Sequence, residues 1–161
     1  MTPKAIPQFG ELLPGTDYVL RPGGYAIVAG AEGMIAVAST RRGFFLPGGG
    51  QEEGESPEEA AVREVHEECG LRIRIVQCLG VADQLALADN ETCYYRKRCT
   101  FFTAELLHQD GPGEPDHHLV WLVPEAAQAH LAHESQRWAV AEAYGLALAD
   151  LKSGLQDVGE E

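Results

Sequence analysis

The chain has 161 residues, 45% of them hydrophobic, with 25 acidic residues against 12 Lys and Arg and a net charge of −13. That length fits one domain and not two, and no apolar run approaches the roughly 20 residues of a membrane span. So large a negative charge repels phosphate polymers and anionic lipid at long range, which excludes nucleic-acid polymers and membranes as nonspecific partners and leaves cation capture as a use for clustered acids.

In chain order, residues 1–16 are rich in Pro and Gly and predict an irregular lead-in. They lack the charged start and apolar core of a secretory signal, so a reducing cytoplasm is the expected compartment. Runs of β-branched and small apolar residues over 25–29 and 34–40, parted by Gly30-Ala-Glu-Gly33, predict two strands and a tight turn. Residues 44–46 form a third apolar run, which Pro47 and three glycines stop, predicting a loop. Ser56-Pro57-Glu58-Glu59 combines an N-cap, a proline at the first helical position and a capping-box Glu, and Gly70 supplies a stop, so the helix spans 57–69. Residues 72–76 and 92–107 read as strands around Asp89-Asn90, 110–115 as a loop and 119–123 as a strand. Pro124 opens a short helix to about His133, Ser135 caps another to about Leu151, and residues 153–161 form a polar tail. Cys69, Cys78, Cys93 and Cys99 lack zinc-site spacing and are expected as buried or half-buried free thiols.

The acids are partly clustered. Residues 49–71 hold eight Glu and one base, Arg63, which places seven of the thirteen net negative charges in one short segment. At about 100° per residue, Glu64, Glu67 and Glu68 share one helix face, whereas Val62, Val65 and Cys69 lie on the other side and are expected to pack on a sheet. Arg63 stands one turn before Glu67 and is placed to pair with it. Like charges at this spacing destabilise a bare helix, and a hard divalent cation such as Mg²⁺ or Mn²⁺ would offset that repulsion. A solvated acidic surface is the ordinary alternative. Gly48-Gly49-Gly50, directly before the helix, would let backbone approach a ligand closely.

The run GGQEEGESPEEAAVREVHEECGL, residues 49–71, fits the Nudix box G-x5-E-x7-R-E-U-x-E-E-x-G-U at all nine specified positions: Gly49, Glu55, Arg63, Glu64, Val65, Glu67, Glu68, Gly70 and Leu71. The chain therefore resembles the Nudix (MutT-like) hydrolases. The resemblance implies an α+β fold, an α/β/α sandwich with a mixed sheet between helices, filling residues 1–161 as a single domain. It implies metal-dependent hydrolysis of a nucleoside diphosphate linked to another group: an NTP, an oxidised dNTP, an NDP-sugar or a dinucleoside polyphosphate. Glu64, Glu67, Glu68 and the carbonyl of Gly48 inherit the Mg²⁺ or Mn²⁺ site, and Arg63 with Glu55 looks like the pair steadying loop and helix around Gly49 and Gly70. Since members are often dimers, a homodimer is a further implied partner.

The general base stays open between a box glutamate, Glu68 first, and an acid in the loop before the last strand, Asp116 or Glu114. His117 and His118 are expected as exposed loop residues. For substrate phosphate the candidates are Arg41 and Arg42, ahead of the 44–46 run, and Arg96 and Arg98, on the side of their strand opposite Lys97. Tyr94, Tyr95, Phe101 and Phe102 offer base stacking or, more ordinarily, core. Two other classes compete: a non-catalytic Nudix-fold domain that senses a nucleotide, and an isomerase of related fold acting on a prenyl diphosphate. Both are expected to carry damaged boxes, and this box is whole.

Overall fold

A computed structural model describes residues 5–88 and 90–147. The end of the last expected helix near Leu151, the polar tail, Asp89 of the expected turn and the first four residues lie outside the described residues. Eight strands and three α-helices are described: β1 (Gln8–Phe9), β2 (Tyr18–Ala29), β3 (Ile35–Thr40), β4 (Gly43–Phe45), β5 (Gly48–Gly50), α1 (Pro57–Cys69), β6 (Leu71–Leu87), β7 (Tyr94–Gln109), β8 (His118–Leu122), α2 (Pro124–His130) and α3 (Glu134–Tyr144). The strands form one mixed sheet in the order β1-β6-β7-β2-β3-β4, with β5 beside β2 and β8 beside β3. Pairing of β2 with β7 and of β1 with β6 is parallel, and the remaining pairs are antiparallel.

Alternation along the central strands divides the core into two layers, because successive side chains leave a strand on opposite faces. Ala26 and Val28 of β2, with Ala36 and Ala38 of β3, meet Val65 and Cys69 of α1. Ile27, Ile35, Val37 and the fully buried Phe101 meet Ala127, Ala139 and Val140 from α2 and α3. The sheet is thus enclosed by helices on both faces, as the α/β/α expectation requires. Among the described residues, no helix is long and apolar enough to cross a membrane.

Helix α1 forms where its local signals place it. Ser56 accepts the Glu59 N–H at 3.1 Å, the Glu59 carboxylate accepts the Ser56 N–H at 3.1 Å, and Gly70 ends the helix at φ 69°. Its rotation about its own axis differs from the one expected from the spacing of its apolar residues. Val62 is exposed, while Ala60, Ala61, Val65 and Cys69 are buried, so Glu64 and Glu68 sit over the buried stripe instead of opposite it. The cause is close docking on β2: a Cβ on Gly24 would stand 1.9 Å from the Pro57 carbonyl oxygen.

Other expectations are corrected by pairing that no local signal encodes. Two residues of the lead-in join the sheet as β1, β2 begins at Tyr18, and β6 runs on to Leu87. The three glycines expected as loop form β5, with Gly23, Gly24 and Tyr25 opposite Gly50, Gly49 and Gly48. Helix α2 ends at His130, and α3 starts from His133 with no side-chain cap, leaving Ser135 inside the helix and buried. Gly145, at φ 64°, stops α3 before the expected end. Cys69 and Cys99 are buried and Cys93 half-buried, but Cys78 is exposed on the part of β6 that faces solvent.

Candidate active site

Strand β5 brings the backbone of Gly48–Gly50 against the carboxylate side of α1. The Gly48 N–H donates to Glu68 Oε1 at 3.0 Å. A Cβ on Gly49 would lie 2.7 Å from the Glu64 carboxyl carbon, so only glycine admits that side chain here. Arg63 ties loop to helix: its Nε and Nη2 hold both oxygens of Glu55 at 2.8 and 2.9 Å, and Nη2 also reaches the Gly50 carbonyl at 3.0 Å. Its Nη1 donates to Glu64 at 2.8 Å and to Glu67 at 3.1 Å. Bidentate guanidinium–carboxylate pairs of this kind are stronger and more directional than single contacts.

Burial divides the four acids. The Arg63 hydrogen bonds hold the Glu55 carboxyl at about 2, well below the usual carboxylate range. Glu64 is pushed up by burial, with Arg63 opposing the shift. Burial pushes Glu68 furthest, to about 8, against the Gly48 N–H that favours its charged form. The Glu67 side chain is half exposed. Hard oxygen donors that are poorly hydrated and aligned on one helix face suit a divalent cation, which would replace the hydration the acids have lost.

The loop before β8 closes over this point. The Glu114 N–H donates to the Glu67 carbonyl at 3.0 Å, fixing the loop on the C-terminal turn of α1. His117 is half-buried, with Nε2 at 3.4 Å from Glu68 Oε2 and Nδ1 at 3.1 Å from Asp116 Oδ1, which corrects its expectation as an exposed loop residue. His118 is exposed as expected. Asp116 is largely exposed, and its pKa is lowered by the His117 contact. Glu114, Asp116 and His117 present ligand atoms within 4.8 Å of one another.

A cleft of about 830 Å³ opens beside these groups, lined by Glu64, Glu68, Gly48–Gly50, Asp116 and His117 on one side. Arg21, Arg41, Arg42 and Lys97 line it elsewhere, with Tyr25, Phe45, Tyr95, His133 and Gln136. The Arg21 guanidinium lies 5.0 Å from the centre of the Tyr95 ring. The structure therefore brings Arg41 and Arg42 to the cleft but not Arg96 or Arg98. Arg98 instead makes two 3.0 Å bonds to the buried Asp83, and Lys97, on the other side of β7, faces the cleft. Phe101 and Phe102 are core, whereas Tyr95 is a cleft wall. Arg21, Lys97 and Gln136 were missed because β2, β7 and α3 meet only in the folded chain.

A family comparison matches the NUDIX domain over residues 19–143, most of the chain. The protein belongs to the Nudix family of hydrolases. Over 53 residues, 32% of each chain, it is 49% identical to diphosphoinositol polyphosphate phosphohydrolase 3-alpha of Mus musculus. The Homo sapiens protein of that name is 49% identical over 64 residues, 38% of this chain and 39% of its own. These matches span 32% and 39% of the relatives' own length. Among solved structures, a NUDIX hydrolase from Nitrosomonas europaea superposes with a TM-score of 0.64 at 17% identity, covering 78% of this chain and 88% of that one. The E. coli dihydroneopterin triphosphate pyrophosphohydrolase gives 0.62 at 20% identity, covering 77% and 96%. At such identities the likeness is one of fold. Nudix hydrolases use divalent metals and act on small phosphorylated substrates.

Proposed function

We propose that the chain is a single-domain pyrophosphohydrolase that uses Mg²⁺ or Mn²⁺ to direct water at a phosphorus of a nucleoside diphosphate linked to another group. The observation that carries this reading is the meeting of Glu64 and Glu68 with the Gly48–Gly50 backbone at the edge of a cleft that also holds four cationic side chains. Glu64, Glu67, Glu68 and the Gly48 carbonyl would hold the metal. When bound, it supplies neutralisation of charge on the phosphate oxygens and a lowered pKa for water.

The chain's own residues do the rest. Arg63 fixes α1 to the Gly50 carbonyl and to Glu55, so the carboxylates are oriented before substrate arrives. Arg21, Arg41 and Lys97 draw the phosphates into the cleft and orient them. Glu68, held in the buried corner of the site by the Gly48 N–H, is the first choice to accept a proton from the attacking water, and Asp116, beside His117, is the second. A cytoplasmic setting is part of the proposal and is supported by four thiols that form no disulfide.

The test is product release with Mg²⁺ or Mn²⁺: phosphate or pyrophosphate from NTPs, oxidised dNTPs and diphosphoinositol polyphosphates, and the two phosphorylated halves from NDP-sugars and dinucleoside polyphosphates. Glu68→Gln is expected to lower kcat by about 10²-fold or more, while Glu52→Gln, on a largely exposed side chain 3.6 Å from Arg63 Nη1, costs little. Binding of every substrate with turnover of none would favour a nucleotide sensor over a hydrolase.

A further inference from the structure

The inner end of the cleft contains a polar side chain that the hydrolytic machinery does not use. Gln136, on the first turn of α3, is only 2% exposed and still lines the cleft. Its Oε1 accepts the Leu46 N–H at 2.7 Å, a bond across 90 residues of sequence. That bond sets the direction of the amide, because turning it over would place NH₂ against a buried N–H, donor against donor. Its Nε2 makes no hydrogen bond to a described residue. An ordinary glutamine offers either a donor or an acceptor to a ligand, whereas this one is held as a donor.

The surroundings suit a planar ring. Phe45 stands edge-on to His133 with ring centres 5.1 Å apart, and both line the cleft beside Gln136. Leu46 lies two residues before Gly48, at most about 7 Å along the chain, so this end and the carboxylate end are within the span of one nucleotide.

Building on the hydrolase reading above, we propose that Gln136 and Phe45 form a base subsite that selects nucleotides whose base carries an exocyclic carbonyl, as guanine and uracil do, over the amino-bearing adenine. The Gln136 NH₂ donates to that carbonyl, and Phe45 covers the ring. Adenine would bring its own N–H donors toward a donor that cannot turn.

Calorimetric binding tests this independently of turnover, with GDP, UDP, ADP and inorganic pyrophosphate titrated into the full chain in Mg²⁺. Wild type is expected to bind GDP and UDP about tenfold more tightly than ADP, the worth of one good hydrogen bond against an unpaired donor. Gln136→Glu keeps an oxygen for the Leu46 N–H and removes the donor, so it should weaken GDP and UDP by about tenfold and abolish the preference over ADP. An equal loss for pyrophosphate, which has no base, would overturn the subsite, as would GDP binding no tighter than ADP or pyrophosphate in wild type. Failure of the hydrolase reading shows up differently, as wild-type protein that binds these nucleotides with Mg²⁺ and turns none of them over.

Discussion

Glu68 gives the site its pH dependence. The folded chain holds its proton up to about 8, against an ordinary value of 4.5. A proton bound more tightly in the folded state stabilises the fold most below the unfolded pKa, and that contribution is lost as pH rises from about 4.5 through 8. Glu55 has the opposite sign. Held near 2 by Arg63, it stabilises the fold above the ordinary carboxylate value, and this contribution disappears as pH falls through about 2. Urea unfolding in a chelator from pH 5 to 8 should therefore show wild type losing stability relative to Glu68→Gln by up to about 1.4 kcal/mol per pH unit. Parallel curves for the two proteins would mean that Glu68 ionises freely in the fold. Added Mg²⁺ should flatten the difference, because the ion selects the charged carboxylate.

Helix α1 illustrates what a sequence encodes locally and what it does not. Its ends were legible because Ser56, Pro57, Glu59 and Gly70 act on backbone groups within a turn of themselves. The Glu and Arg positions of the box were legible for the same reason, since spacing along one helix sets a shared face. Which way that face turns is a tertiary matter, decided by the contact of Gly24 with Pro57, which lie far apart in the sequence, and so Val62 points outward and Glu68 inward. Likewise β5 reads as loop because glycine is a poor strand former, and only its pairing with β2 makes it a strand. Two substitutions separate these levels. Ser56→Ala should cost about 1 kcal/mol of stability and leave kcat nearly intact, since it removes one cap hydrogen bond. Gly24→Ala should cost more, about 2 kcal/mol or above, and lower kcat as well, because the new Cβ pushes α1 and its carboxylates off β2. Urea midpoints and kcat measured on both variants check this, and equal effects would deny Gly24 its role in seating the helix.

At the scale of the whole molecule, the charge is sorted as well as unbalanced. The chain carries −13, yet Arg21, Arg41 and Lys97 make no ion pair among the described residues and all line one cleft. Arg63, Arg72, Arg74, Arg98 and Arg137 are paired with carboxylates. An acidic protein leaves cations unpaired at a cost in attraction forgone, and their collection opposite Glu64 and Glu68 points to anionic groups that enter the cleft. Phosphate held between these cations and a metal on the carboxylates would be drawn from both sides, which answers the long-range repulsion by the remaining surface. Arg21→Gln with Lys97→Gln should therefore raise KM by about tenfold or more with a smaller change in kcat, each lost charge-assisted contact being worth roughly 1 kcal/mol where one side chain is exposed and the other half-buried. Arg96→Gln, beside Lys97 but outside the cleft, should leave KM within about twofold. Raising the salt concentration should increase the wild-type KM more steeply than that of the double variant, because screening acts on charges the variant no longer has. Identical salt slopes would place the phosphates elsewhere, since the pull of Arg21 and Lys97 would then contribute nothing to capture.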